Sequence, residues 1–236
     1  MDKKIEALQK LISGHQNIVF FGGAGVSTES GIPDFRSVDG LYHQKWDYPP
    51  ETILSHTFFV RKPKEFYRFY KEKMLCEGAK PNAAHKKLAQ LKAVITQNID
   101  NLHQMAGSKK VYELHGSVYR NYCTKCGAFY DFSYMKHAEG IPVCKKCGGI
   151  IKPDVVLYEE GLDNEVIEGA VQAIREAEVL IIGGTSLAVY PAASLIDYFK
   201  GDALVVINRD KTPRDKMADL VINEPIGAVF EQIRVE

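Results

Sequence analysis

The stretch "NIVFFGGAGVSTESGIPDFRS", residues 17–37, decides how the rest of the chain is read. Ile18, Val19, Phe20 and Phe21 form an apolar run without polar alternation, as in a strand buried on both faces. The run leads straight into Gly22, Gly23 and Gly25, the beginning of a dinucleotide-binding loop. A hydride-transfer loop would carry a third glycine where Thr28 stands. It would also place a ribose-holding carboxylate about twenty residues on, at the end of a second strand. Asp39 and Asp47 lie near that distance but have no strand before them. The loop is expected to bind a phosphate-bearing ligand outside the ordinary hydride-transfer layout.

Further apolar runs predict buried strands at 93–98, 111–116, 153–158, 178–184 and 203–208. Helical spacing lies between many of them, at 82–91, 164–177 and 191–200, and also at the N-terminus in Ile5, Leu8, Leu11 and Ile12. Alternating strand and helix predicts an α/β fold, a Rossmann-type parallel sheet with helices on both faces. The predicted strands end in polar or glycine residues, such as Gln97-Asn98, His115-Gly116, Gly183 to Ser186 and Asn208. In such sheets ligands bind at the carboxyl ends of the strands. Segments 38–80 and 119–151 break the alternation and read as insertions. The expected division is a large domain of 1–37, 81–118 and 152–236, and a small domain made of a helical module (38–80) and a cysteine ribbon (119–151).

The 236 residues carry 30 basic and 30 acidic side chains, a formal net charge of zero. That gives no electrostatic reason for a nucleic-acid ligand. No apolar stretch is long enough to span a bilayer, and the N-terminus lacks a signal peptide's apolar core. A cytoplasmic protein with reduced cysteines is expected.

Cys123, Cys126, Cys144 and Cys147 form a C-x2-C…C-x2-C pattern, each pair followed by a glycine, Gly127 or Gly148. Two-residue spacing lets both thiolates of a knuckle face one tetrahedral ion, and four thiolates close the coordination sphere. One structural zinc is expected. A redox C-x2-C fits less well with two pairs in one ribbon. A nucleic-acid-binding ribbon would use Lys125, Lys145, Lys146 and Lys152, which read instead as a solvated surface. Cys76 reads as an ordinary helix residue.

The motifs "GAGVSTESGIPDFRS" (23–37), "GLY" (40–42), "TQNIDNLH" (96–103), "ELHGS" (113–117), the cysteine quartet, "KPDVVLYEE" (152–160), "GGTSLAVYPAA" (183–193) and "VVIN" (205–208) occur in this order. Over nearly its whole length the chain resembles the sirtuins, NAD-dependent protein-lysine deacylases, of the short bacterial and archaeal kind. One departure is Gly22, where the family often has threonine.

The resemblance implies NAD and an acyl-lysine peptide meeting in a cleft between the two domains. It implies backbone amides at Ala24 and Gly25, at a helix N-terminus, for the pyrophosphate, with hydroxyls of Ser27 and Thr28, and contacts from Thr185 and Ser186. Asn208 would hold the adenosine ribose, Ile226 would pack near adenine, and Asp210 is a weaker candidate. Gln97 would contact ribose, Asn98 a water and the ribose near the reaction centre, and Ile99 and Asp100 the nicotinamide carboxamide. Phe35 would shield the reaction centre and Arg36 would order the loop. His115 is implied as the general base that takes a proton from a ribose hydroxyl once nicotinamide has left. The products would be free lysine, nicotinamide and O-acetyl-ADP-ribose. The peptide would add as a strand near "VVLYEEG" and "TSLAVY", with Val156 and Tyr158 lining the acyl-lysine tunnel. Mono-ADP-ribosyl transfer and removal of longer acyl groups are the alternatives within enzymes, and a non-catalytic NAD-sensing ribbon module the alternative outside them. Sirtuins that favour succinyl or malonyl groups carry a Tyr-x-x-Arg pair on the helical module. Its counterpart here is expected at Tyr70 and Lys73, so acetyl-lysine or an uncharged longer acyl-lysine is expected to be preferred over succinyl-lysine.

Overall fold

The computed structural model describes residues 2–35, 40 and 46–235. Nine strands form two sheets: β1 (Ile18–Gly22), β2 (Ala93–Thr96), β3 (Val111–Glu113), β4 (Gly116–Cys123), β5 (Phe129–Tyr130), β6 (Ile151–Val155), β7 (Val179–Gly183), β8 (Ala203–Ile207) and β9 (Leu220–Ile222). The helices are α1 (Lys3–Gly14), α2 (Pro50–Ile53), α3 (His56–Arg61), α4 (Pro63–Phe69), α5 (Ala83–Leu88), α6 (Leu102–Met105), α7 (Phe132–His137), α8 (Asn164–Glu176) and α9 (Ile226–Glu231).

The larger sheet is parallel throughout, in the order β3-β2-β1-β7-β8-β9. Its central strands are uninterrupted Val, Ile, Leu and Phe because both faces are covered. Phe20, Val94, Ile181 and Val205 point to one face, under α1, α5 and α9. Val19, Phe21, Ile95, Leu180, Ile182 and Val206 point to the other, under α8 and the 192–198 turns. Each such side chain contributes about 1.5–3 kcal/mol through burial. At one end the register brings Glu113, Thr96, Gly22, Gly183, Ile207 and Ile222 into a row across the sheet. The residues that follow each strand therefore emerge side by side along one edge. Strand order reverses between β1 and β7, which marks where such sheets take ligands.

Three glycines make this edge possible. The Phe20 ring fills the space of a Cβ at Gly22, 2.3 Å from its nearest carbon. A threonine there would displace that ring. Gly184 has φ +58 and packs on Gly25, whose amide donates to the Gly184 carbonyl at 2.8 Å. A Cβ on Gly25 would lie 2.8 Å from the Gly184 Cα.

The second sheet is antiparallel, in the order β5-β4-β6. The sequence run at 153–158 thus starts inside this sheet, paired with β4, and is not one of the parallel strands. β9, a half-buried strand of three residues, is the short apolar run Leu220-Val221-Ile222, which was not among the predicted strands. The core of this part joins aromatic residues of α3 and α4 to β4, β6 and the cysteine ribbon. Phe66 and Tyr70 stack at 5.7 Å, and Phe59 meets Phe66 edge-on at 5.1 Å. Trp46, the only tryptophan of the chain, meets Phe69 edge-on at 5.2 Å. After Phe69 the chain passes into a π-helical turn, Tyr70–Met74.

Candidate active site and metal centre

A cavity of about 450 Å³ opens along the carboxyl edge of the parallel sheet and is closed on its other side by residues of the smaller sheet and the helical segment. Its walls include Ala24, Gly25, Ser27, Thr28, Phe35, Gln97, Asn98, Ile99, Asp100, His115, Val156, Tyr158, Thr185, Ser186, Asn208, Asp210 and Ile226. The resemblance nominated these from several separate motifs, and the fold brings them to one space. Arg36 lies outside the described residues.

The polar groups at the centre hold one another. Ser27 Oγ donates to Asp100 Oδ2 at 2.6 Å and accepts from Asn98 Nδ2 at 3.1 Å. Asp100 also accepts from the Leu102 amide at 3.0 Å. Burial raises the Asp100 carboxyl above its ordinary range, against the pull of these two donors. The Asn98 amide donates to Thr96 Oγ1 at 3.0 Å, and Gln97 Nε2 donates to Thr185 Oγ1 at 3.1 Å, joining the ends of β2 and β7. Behind Ser27, His85 and His103 are buried with ring centroids 4.8 Å apart. Burial lowers both, His85 to about 4 and His103 to about 3.

His115 follows β3 at the turn into β4. Its Nδ1 lies 3.0 Å from the Gln97 carbonyl. A carbonyl can only accept, so Nδ1 carries the proton in the neutral ring and Nε2 keeps its lone pair. Burial lowers the pKa of this imidazole, and the Gln97 carbonyl raises it in part. A neutral histidine with a free Nε2 in a cavity can act as a base near pH 7.

The structure departs from several expectations. Among the described residues the glycine loop runs into two 3-10 turns, Ala24–Val26 and Thr28–Ser30, and not into a longer helix. The Gly25 amide is already engaged by Gly184, so it is not a donor waiting for phosphate. Tyr70 is fully buried in the aromatic core and does not reach the cavity, whereas Lys73 does. The two therefore cannot act as a pair on an acyl group, and Lys73 Nζ is held by Glu72 at 3.0 Å. Cys76 is not in a helix: it follows the π turn and lines the cavity, half-buried, its thiol pushed up by burial and by the nearby Asp100. Near "VVLYEEG", the amides of Val156, Leu157 and Tyr158 are all taken, by the His115 carbonyl at 3.0 Å, Glu160 Oε2 at 2.9 Å and the Leu54 carbonyl at 2.9 Å. Val118 and Tyr119 also line the cavity, and no sequence period marked them.

The four sulfurs of Cys123, Cys126, Cys144 and Cys147 lie within 4.8 Å of one another. Cys123 and Cys147 are 3.4 Å apart, Cys126 and Cys144 3.6 Å. A tetrahedral zinc with bonds of about 2.3 Å has sulfur–sulfur edges of about 3.8 Å, so the cluster fits one zinc ion. Gly127 and Gly148, at φ +69 and +70, turn the two knuckles. Tyr130 Oη donates to Cys144 Sγ at 3.2 Å and accepts from the Lys145 amide at 2.8 Å.

Parallel sheet, cavity and cysteine cluster together define an α/β protein of the dinucleotide-binding type with an appended metal ribbon. The model of the Sir2 family matches residues 23–191. A protein of Clostridium acetobutylicum named NAD-dependent protein deacetylase is 59% identical, with 98% of each chain covered. One of Clostridium perfringens with the same name is 58% identical, with 99% of each covered. A solved structure described as Sir2 with a p53 peptide and NAD+ superposes with a TM-score of 0.84 at 38% identity, covering 97% of this chain and 96% of the other. The chain belongs to the Sir2 family, the sirtuins.

Proposed function

We propose that this protein is an NAD-dependent protein-lysine deacetylase. The observation that carries it is the cavity: His115, Asn98 and Asp100 converge there with the glycine loop and the ends of β7 and β8. When bound, NAD supplies the electrophilic anomeric carbon and the nicotinamide leaving group. The residues of the chain do the rest. Thr28, Thr185 and Ser186 face the phosphates, Asn208 and Ile226 the adenosine, and Gln97 the ribose beside nicotinamide. Asp100, fixed by Ser27, accepts from the nicotinamide amide, with Ile99 and Phe35 closing that end. Arg36 orders the loop. Asn98 positions a ribose hydroxyl and His115 Nε2 removes its proton.

The acyl-lysine enters past Val156 and Tyr158. Since the amides of 156–158, of Glu160 and of Leu187 are engaged, main-chain pairing with a peptide falls to Glu159 and Gly161 on one side and to the 188–190 segment on the other. Acetyl-lysine is favoured over succinyl-lysine because Lys73, which lines the cavity, is already paired with Glu72. The zinc ribbon is structural and Cys123, Cys126, Cys144 and Cys147 hold one zinc. A large lobe built on the parallel sheet and a small lobe built on the ribbon and 46–80 form the two sides of the cleft. Among the described residues no helix is long and apolar enough to cross a membrane. Cysteines arranged as metal ligands fit a reducing cytoplasm, and zero net charge fits a protein partner better than nucleic acid.

Incubation with NAD and acetylated or succinylated versions of one peptide tests this. Peptide-dependent nicotinamide release with loss of the acetyl group supports it. Nicotinamide release without deacetylation overturns it, and a higher kcat/KM for the succinylated peptide overturns the acyl preference.

A further inference from the structure

The small sheet leaves regular pairing at one place, and that place adjoins His115. β4 pairs with β6 at Gly116–Val155 and Ser117–Asp154, then resumes at Asn121–Pro153. One step along β6 thus spans four along β4, and Val118, Tyr119 and Arg120 are extruded as a bulge. Bulges break in–out alternation and re-aim side chains beside active sites. Val118 and Tyr119 go into the cavity wall. Arg120 does not: its Nε donates to Asp154 Oδ2 at 2.7 Å and its Nη1 to Glu113 Oε2 at 2.6 Å.

Those carboxylates belong to different sheets. Glu113 ends β3, the edge strand of the parallel sheet, and Asp154 lies in β6. Glu113 stands two residues before His115, and Asp154 two residues before Val156, whose amide donates to the His115 carbonyl at 3.0 Å. Arg120 therefore closes a ring around the corner that carries the imidazole. The corner has no slack: Gly116 sits at φ +76, and a Cβ there would lie 1.9 Å from the Asp154 carbonyl oxygen. Nor is the clamp a loose surface pair. The Glu113 side chain is only 8% exposed, and its Oε1 is buried without a hydrogen-bond partner. Its other oxygen is held by Arg120, whose planar fork reaches two carboxylates at once as an ammonium cannot.

We propose that Arg120 is a positioning residue for His115, clamping the β3–β4 corner so that Nδ1 stays on the Gln97 carbonyl and Nε2 faces the cavity. It is not among the residues that line the cavity. Its loss leaves a buried carboxylate uncompensated two residues from His115 and frees the corner to shift. Small misplacements of a catalytic group are costly, about a hundredfold for one ångström.

The kinetic part of this proposal rests on the deacetylase reading. Full-length Arg120→Gln and Arg120→Lys are compared with wild type for kcat, peptide KM and peptide-dependent exchange of labelled nicotinamide into NAD. Exchange precedes the step assigned to His115. In Arg120→Gln, deacetylation kcat is expected to fall about tenfold or more, with exchange and KM within about threefold, and Arg120→Lys is expected to fall between. Wild-type kcat in Arg120→Gln overturns the proposal, as does a parallel loss of exchange, which a merely structural role would produce. If Arg120→Gln does not fold, Asp154→Asn removes one arm at a half-exposed carboxylate, and an unchanged kcat there overturns the proposal. A wild type without deacetylase activity would overturn the functional reading instead. The clamp is then judged on the imidazole nitrogen resonances of His115, expected to show one Nδ1-protonated tautomer in wild type and a mixture in Arg120→Gln; identical spectra overturn it.

Discussion

The parallel sheet and the cysteine-bearing lobe are held together by different means. Every residue of β1, β2 and β7 is buried, and the strands close against helices on both faces. In the smaller sheet, β6 alternates buried with half-buried residues and β5 is only two residues long. The core there is completed by rings from α3 and α4 and by Cys123 and Cys144 themselves. Two of the proposed metal ligands are thus core residues, and folding of that lobe is tied to the ion as folding of the sheet is not.

The largest expected effect is on the lobe. Cys144→Ser should drop zinc from one per chain to near zero, because structural zinc binding is worth about 10–16 kcal/mol of folding free energy in small metal domains. Limited proteolysis should then cut within 119–151 and spare the parallel sheet. A zinc-free variant that resists cleavage would erase the contrast. Where the two regions meet, His115→Ala should lower deacetylation by about 10²–10⁴-fold, the usual worth of a general base, and leave NAD affinity, read by calorimetry, within a few-fold. Loss of NAD binding would make the ring a cofactor contact. In wild type, burial lowers the His115 pKa, so the base form persists at acidities that would protonate a free histidine. Activity should hold as pH falls through about 6.5 and decline only below it.

Leu180→Ala, in the middle of β7, should cost about 2–5 kcal/mol in urea titrations with zinc content unchanged. Zinc loss in that variant would show the two regions to be one cooperative unit. The buried histidines give an effect that appears only as pH falls. His85 and His103 have folded pKa values of about 4 and about 3, below the unfolded value of about 6.5. The unfolded chain therefore binds protons first. The stability these residues contribute is complete above about pH 6.5 and is lost as pH falls toward those folded values, by about 1.4 kcal/mol per pH unit for each. The thermal midpoint should drop between pH 7 and pH 5 with zinc still bound, and His103→Phe should flatten part of that slope.

The same contrast governs what the sequence disclosed. β1, β2, β7 and β8 announced themselves because strands buried on both faces must be unbroken apolar runs. The site residues that end them were legible for the same reason, as polar groups stranded at predicted strand ends. The four cysteines were legible through spacing alone. What hydrophobicity does not encode is partner and direction: the 153–158 run looks like its parallel neighbours, yet its first residues pair antiparallel with β4. Val118, Tyr119, Lys73 and Cys76 reach the cavity through a bulge and a π turn. Both are departures from periodicity, so no periodic signal could nominate the residues they deliver. Tyr70 stands on the same turn, its ring carried into the aromatic core.

Trp46 has a consequence for observation. It is the chain's single indole, and it lies against Phe69 with the Arg68 guanidinium 5.0 Å and the Lys73 ammonium 5.7 Å from its ring. Emission excited at the red edge of the indole band therefore comes from the cysteine-bearing lobe alone, and the parallel sheet is dark at that wavelength. Lys73 also lines the cavity, so a ligand that draws its ammonium away alters the field at the indole and shifts its colour. One native fluorophore, without labelling, thus separates the lobe's melting from the sheet's and times the arrival of a ligand in the cleft.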